Sequence, residues 1–302
     1  MSTYEDAGVS IEAGDKAVEL MKVWIEKARR PEMMGGIGGF AGLFDASALK
    51  AYDRPLLASS ADGVGTKVAI AQAMDKHDTI GQDLVAMVVD DLVVCGAEPL
   101  FLQDYIAIGK IVPDQVATIV RGIAEGCQTA GCALLGGETA EHPGLMEEGA
   151  YDLSATGVGV VDAEKMLRPE RVRPGDVLVA LGSSGLHSNG YSLARHVLLD
   201  IARLPLAGEL EEFDHSLGEE LLVPTRIYAK DCLAITAETG VRTFSHITGG
   251  GLARNLERVL PEGLAATVER GSWTPAPIFK LIQSRGRVER AEMEKTFNMS
   301  TT

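Results

Sequence analysis

Apolar positions along the chain change their period several times, and each change marks an element. In residues 15–29, DKAVELMKVWIEKAR, the side chains of Val18, Met21, Ile25 and Ala28 recur at helical spacing. Asp15 near the start and Arg29 near the end suit the helix dipole, so the pattern predicts an amphipathic helix. Pro31 and then Gly35, Gly36, Gly38, Gly39 and Gly42 interrupt it and predict a Gly-rich loop. A strand follows at RPLLASSAD (54–62), then a helix over 79–99 that stops at Gly96 ahead of Pro99. LFLQDYIAIG reads as a strand, Pro113 to Ala130 as a helix, and ALLGGET and YDLSATGVGVVD as strands. Proline and charge concentrate in RPERVRPGD (168–176), which predicts a boundary between domains spanning 1–168 and 169–302. Beyond it come a strand at VLVALGSSG, helices at NGYSLARHVLLDIA, VPTRIYAKDCLAITAE and GGGLARNLERVL, and a strand at LAATVER. The order implies an α/β protein with mixed α+β sheets rather than a regular βαβ repeat.

Composition narrows the class. With 302 residues, 46% of them apolar, the chain can bury two ordinary cores. Runs such as Leu92-Val93-Val94-Cys95 fall far short of the roughly 20 residues a bilayer span needs, so no membrane partner is expected. The acidic start, Met1-Ser2-Thr3-Tyr4-Glu5-Asp6, lacks a secretory pattern, and Cys95, Cys127, Cys132 and Cys232 show no C-x-x-C spacing; both features suit a cytoplasmic location. A net charge of −15 with no basic stripe argues against a nucleic-acid partner. If a phosphorylated ligand binds, lysine, backbone N–H groups or Mg²⁺ must attract it locally.

Three places can supply that attraction. The turn Asp62-Gly63-Val64-Gly65-Thr66-Lys67 has the residue types of a phosphate loop in the wrong order for G-x-x-x-x-G-K-[ST], so it is not that motif. On the helix over 79–99, steps of seven and eight residues put Asp83 within about 20° of Asp90 and about 80° of Asp91. This acidic edge is either a solvated face or, given the apolar residues around it, a set of half-buried carboxylates that need a metal. LLGGETAEHPG adds Glu138 after the pair Gly136-Gly137, and Asp62, Asp91 and Glu138 together make a plausible Mg²⁺–phosphate site. GSSGLHSNGYSL (182–193) and SHITGGGLARNL (245–256) each set a histidine ahead of glycines that open a helix, which suits either anion binding or capping by Ser188 and Thr248.

The segments MGGIGGFAG, DGVGTK, HDTIGQDLVAMVVDDLVVCGAEPLFLQDY, LLGGETAEHPG, ALGSSGLHSNGYSL, LLVPTRIY, HITGGGLARNLERVLP and EMEKTFNM occur in this order over nearly the whole chain. Together they resemble the phosphoribosylformylglycinamidine cyclo-ligases, also called aminoimidazole ribonucleotide synthetases, of the PurM-like superfamily. The resemblance implies ATP-dependent ring closure of formylglycinamidine ribonucleotide through a phosphorylated amide. It also implies two PurM-like α/β domains, the N-terminal one pairing with its twin in a homodimer whose strands form a shared β-barrel. It maps the nucleotide site onto Lys22, the loop residues Gly35, Gly36, Gly38 and Gly39, the turn residues Asp62, Gly63, Gly65, Thr66 and Lys67, and Asp91, Gly136, Gly137 and Glu138. Asp62, Asp91 and Glu138 would hold Mg²⁺; Lys67, His187 and His246 would be catalytic; Ser188, Asn189, Thr248, Gly249, Gly250 and Gly251 would face the substrate. Two departures stand out: Asp90 replaces the family's usual Asn, and the sequence stops at Ser300-Thr301-Thr302 where the family continues for roughly 40 residues, which would leave the C-terminal domain incomplete. Other readings are a further ATP-using member of the superfamily, or a truncated protein that binds nucleotide and dimerises without turnover.

Overall fold

The computed structural model describes residues 8–36 and 38–301, so the acidic start and Ile37 of the Gly-rich loop lie outside the described residues. Helix α1 (Ile11–Lys27) begins where the Ser10 side chain accepts the Ala13 N–H, and it buries Ala17 and Met21. A short hairpin, β1 (Met33–Met34) with β2 (Leu43–Phe44), flanks the Gly-rich loop. Arg29 ties the loop down by donating to the carbonyls of Met33 and Gly35.

The main sheet has the order β3-β6-β4-β5, built from β3 (Pro55–Gly63), β4 (Glu98–Ile108), β5 (Ala133–Glu141) and β6 (Tyr151–Asp162). β6 lies antiparallel to both β3 and β4, while β4 and β5 run parallel. A parallel pair needs a crossover. Here it is α4 (Pro113–Ala130), whose proline takes the first helical turn and whose end is closed by Gly131 at φ 83°. α3 (Ile80–Val93) and α4 cover one face of the sheet. Alternation along β6 records this: Tyr151, Leu153 and Ala155 are buried, while Asp152, Ser154 and Thr156 point out from the other face.

After β6 the described chain is helical or irregular. α5 (Tyr191–Arg195) passes directly into a π-helical turn at His196–Ile201. α6 (Leu217–Leu221), α7 (Ala229–Glu238), α8 (Gly251–Glu257), α9 (Pro277–Gly286) and α10 (Arg290–Thr296) follow, and α2 (Val68–Met74) precedes α3 in the first half. The strands expected at 177–185 and 264–270 are not formed. Residues 177–181 and 264–269 form no ladder among the described residues, and of the first expected strand Gly182 alone makes an isolated bridge, to Thr301. An apolar run becomes a strand only when a neighbour completes its hydrogen bonds, and Val177 and Val179 are 84% exposed. One apolar cluster nevertheless continues from Ala17 and Met21 through the helix-bearing face of the sheet to Phe279 and Phe297.

Candidate active site

β3 and α3 together build an acidic corner. Strand alternation sends Ser60 and Asp62 to the helix-bearing face, where Ser60 Oγ donates to Asp91 Oδ2 at 3.5 Å. Asp62 Oδ1 accepts the Gly63 N–H at 2.7 Å. Burial, and then the charge of Asp91, push the Asp62 carboxyl above its ordinary range. His246 Nδ1 donates to Asp91 Oδ1 at 2.8 Å. Deeper in the corner, Asp90 Oδ1 accepts the Tyr228 N–H at 3.0 Å, while its Oδ2 is buried with no partner among the described residues. Burial raises Asp90 to about 7. The neighbouring carboxylates of Asp62 and Asp91 are hard oxygen donors that fit a divalent cation, which they would hold.

Lys67 has a different place from that of a side chain open to ligand. It is fully buried and donates to Asp83 Oδ1 at 2.8 Å, the His187 carbonyl at 3.1 Å and the Val223 carbonyl at 2.7 Å. Asp83 Oδ1 also accepts from the Thr225 N–H (2.8 Å) and Oγ1 (2.6 Å). The pair therefore clasps the first half of the chain to segments 182–193 and 222–228 of the second.

The clasp positions the first histidine loop. His187 has φ 62°, and its Nε2 accepts the Ser184 N–H at 3.2 Å. Burial, with Lys67 nearby, lowers its pKa to about 3, so the ring is neutral near pH 7. Ser188 is buried against Thr225, with the hydroxyls 3.1 Å apart, and Thr66 meets Ser192 at 3.1 Å. Asn189 Oδ1 accepts the Gly249 N–H at 3.1 Å, joining the two glycine-containing loops. Asn255 holds the second loop from below by donating to the carbonyls of Thr248, Gly249 and Gly251. Gly250 and Gly251 have φ 102° and 68°, and a Cβ on Gly251 would collide with the Glu294 carbonyl. Asp62, Thr66, Asp91, His187, Asn189, His246 and Gly249 thus meet where the two halves face each other.

The remaining expected residues lie elsewhere. Lys22, Gly35, Gly36, Gly38, Gly39, Gly136, Gly137 and Glu138 line a cavity of about 670 Å³ between α1, the Gly-rich loop and the β4–β5 edge. Lys22 is half exposed and paired with Glu19. The expected Mg²⁺ triad does not converge within one chain. Glu138 shares a row with Tyr105, Ser154 and Gly63, on the outer face. Asp62 projects from the opposite face of β3, and the three strand spacings between β3 and β5 amount to about 14 Å. No group of three potential metal-binding side chains occurs among the described residues.

Sequence reading missed Asp104, Thr225 and Asn255. Asp104 did carry a signal: it occupies the buried parity of β4 between Leu102 and Ile106, where an apolar residue is expected.

The mixed sheet with helices on one face, followed by a helical second half, is the PurM-like α/β fold. The AIR synthase related protein N-terminal domain matches residues 44–161, and the corresponding C-terminal domain matches 173–301. Among solved structures, thiamine-monophosphate kinase from Stenotrophomonas maltophilia K279a superposes with a TM-score of 0.57 at 23% identity, covering 81% of this chain and 70% of that one. Hydrogenase maturation protein HypE in complex with ATP superposes with a TM-score of 0.57 at 18% identity, covering 84% and 67%. The phosphoribosylformylglycinamidine cyclo-ligase of Geobacillus kaustophilus (strain HTA426) is 53% identical over 296 residues, 98% of this chain and 85% of the relative. The chain belongs to the phosphoribosylformylglycinamidine cyclo-ligase family.

No helix among the described residues is long and apolar enough to cross a membrane.

Proposed function

We propose that the protein closes the imidazole ring of formylglycinamidine ribonucleotide at the expense of ATP, releasing aminoimidazole ribonucleotide, ADP and phosphate. The observation that carries this reading is the 53% identity to a cyclo-ligase across 98% of the chain. The formyl amide oxygen is a poor leaving group. Transfer of the γ-phosphoryl group to it leaves ADP and turns it into a good one. The amidine-side nitrogen then attacks that carbon, the C–O bond breaks and phosphate departs with the oxygen. The protein's tasks are orientation and charge placement.

Asp62 and Asp91 would hold Mg²⁺, which supplies charge neutralisation at the phosphates when bound. His246, oriented by Asp91, is the imidazole assigned to proton movement at the reacting centre. His187 stays neutral and acts as an acceptor within its loop. Ser188, Asn189 and Thr248 to Gly251 form the ribonucleotide side. Lys22, Gly35, Gly36, Gly38 and Gly39, with Gly136 and Gly137, form the nucleotide side, beneath which lies the cavity. The division into domains at 168/169 follows the change from sheet to helical chain. Pairing of two copies through the outer sheet face makes a homodimer, and free cysteines suit a cytoplasmic site of action.

The test is ADP release from purified protein given ATP, Mg²⁺ and formylglycinamidine ribonucleotide, with aminoimidazole ribonucleotide followed in parallel. Coupled appearance of both products is expected. The unpaired segments at 177–181 and 264–269 favour a second reading, a nucleotide-binding protein without turnover; ATP binding with no substrate-dependent ADP would establish it. Asp91→Asn should abolish turnover with an unchanged circular dichroism spectrum, and retained activity would remove Asp91 from the site.

A further inference from the structure

The floor of the 670 Å³ cavity holds a carboxyl group that nothing in the protein uses. Asp104 lies mid-strand in β4, 9% exposed, on the face covered by helices. Among the described residues no side chain forms an ion pair or a hydrogen bond with it, and its own backbone N–H offsets the burial only in part. A buried carboxyl in that state is costly. Burial accordingly pushes it up to about 7.

The surroundings are built to admit it. Asp104 pairs in register with Gly137 of β5, and a Cβ on Gly137 would collide with the carboxyl oxygens. The glycine therefore keeps space open beside the carboxyl. The walls above are apolar, from Ala17, Met21 and Ile25 of α1, with Val120 of α4 and Leu135 of β5. Lys22, Glu26 and Arg29 line the cavity as well, so apolar walls and a few polar groups surround the carboxyl, the usual form of a small-molecule site in which polar groups fix orientation.

We propose that Asp104 accepts hydrogen bonds from a nitrogen donor group of a bound substrate, either an aminopurine amine or an amidine. The inference rests on the ring-closure reading, which supplies both groups: the exocyclic amine of ATP and the amidine of the ribonucleotide. An amidine matches a carboxylate with two parallel N–H donors, as a guanidinium does. An exocyclic amine offers one donor, so loss of the carboxyl affects the two ligands differently. Asp104 here is a specificity-determining residue, and no proton transfer is assigned to it.

The experiment compares wild type with Asp104→Asn and Asp104→Leu by calorimetric titration of a non-hydrolysable ATP analogue and, separately, of the ribonucleotide, with thermal melting of each free protein. Asp104→Leu is expected to weaken one ligand at least tenfold, to leave the other within threefold, and to raise Tm, because the free protein no longer buries an unpaired carboxyl. Asp104→Asn, which keeps one acceptor, should fall between. Loss confined to the ATP analogue identifies the amine as the donor; loss confined to the ribonucleotide identifies the amidine. Unchanged affinities for both, or a lowered Tm in both variants, overturn the proposal by giving Asp104 no ligand or a structural role. Wild type that binds neither ligand overturns the ring-closure reading together with this one, a result distinct from failure of the variants alone.

Discussion

A lysine can be buried completely only when its ammonium protons find acceptors, and Lys67 has three. Lys67→Met would leave Asp83 as an uncompensated buried charge, still bonded to Thr225 but without its cation. The expected cost is about 3–5 kcal/mol, read as a fall in the urea midpoint at constant m-value; a change below about 1 kcal/mol would show that the clasp contributes little. His187 titrates in the opposite environment. Its folded pKa of about 3 lies below the ordinary 6.5, so between these values the unfolded chain binds the extra proton. Stability from this group is therefore present above that window and is lost as pH falls through it. NMR of the imidazole should show His187 still neutral at pH 5, and a titration midpoint above about 6 would contradict the burial argument. In the sequence, the turn at 62–67 displayed the right residue types but not their directions. Whether Lys67 faces a ligand or a carboxylate depends on Asp83, sixteen positions away, and on carbonyls of segments that meet it only through the fold.

At the level of elements, local signals were decisive wherever both pattern and boundary residues were present. The helix expected from Pro113 to Ala130 forms over those residues, because proline opens it and Gly131 closes it in a left-handed conformation. β6 forms over the whole of YDLSATGVGVVD and alternates buried and exposed from Tyr151 to Thr156. Where partners decide, the local signal failed. VLVALGSSG has the same apolar character as β6, yet residues 177–181 have no ladder among the described residues, and the helix expected at 189–202 relaxes into a π-helical turn. The Mg²⁺ triad failed for the same reason, since strand order, invisible in the sequence, separates β3 from β5 by two strands. Hydrogen exchange separates the two kinds of element. Amides of β6, paired on both sides, should exchange only through large-scale opening, whereas those of 178–181 should exchange within seconds. Strong protection at 178–181 would mean that the segment is paired in solution.

For the whole molecule, the sheet poses a problem that one chain does not solve. α3 and α4 cover one face, but the outer face leaves Leu57 64% exposed and Tyr105 39% exposed beside Gln103, Ser154 and Thr156. Among the described residues no strand pairs with the outer edges of β3 and β5, and exposed edges of this length invite pairing. A second copy placed on the outer face would cover these apolar side chains, which is the support for the homodimer proposed above. Charge opposes that association, because each copy carries −15. Repulsion between like-charged copies is screened as the Debye length falls from about 20 Å to about 6 Å between roughly 0.02 M and 0.3 M salt, while burial of Leu57 is not. Dimerisation should therefore tighten as salt rises. Leu57→Asp, which puts a carboxylate from each copy into the contact, should cost about 2 kcal/mol or more per copy and yield monomers by light scattering at micromolar concentration. If the variant stays dimeric, the copies meet through another surface. If the wild type is monomeric at every salt concentration, the exposed face of the sheet needs a different explanation.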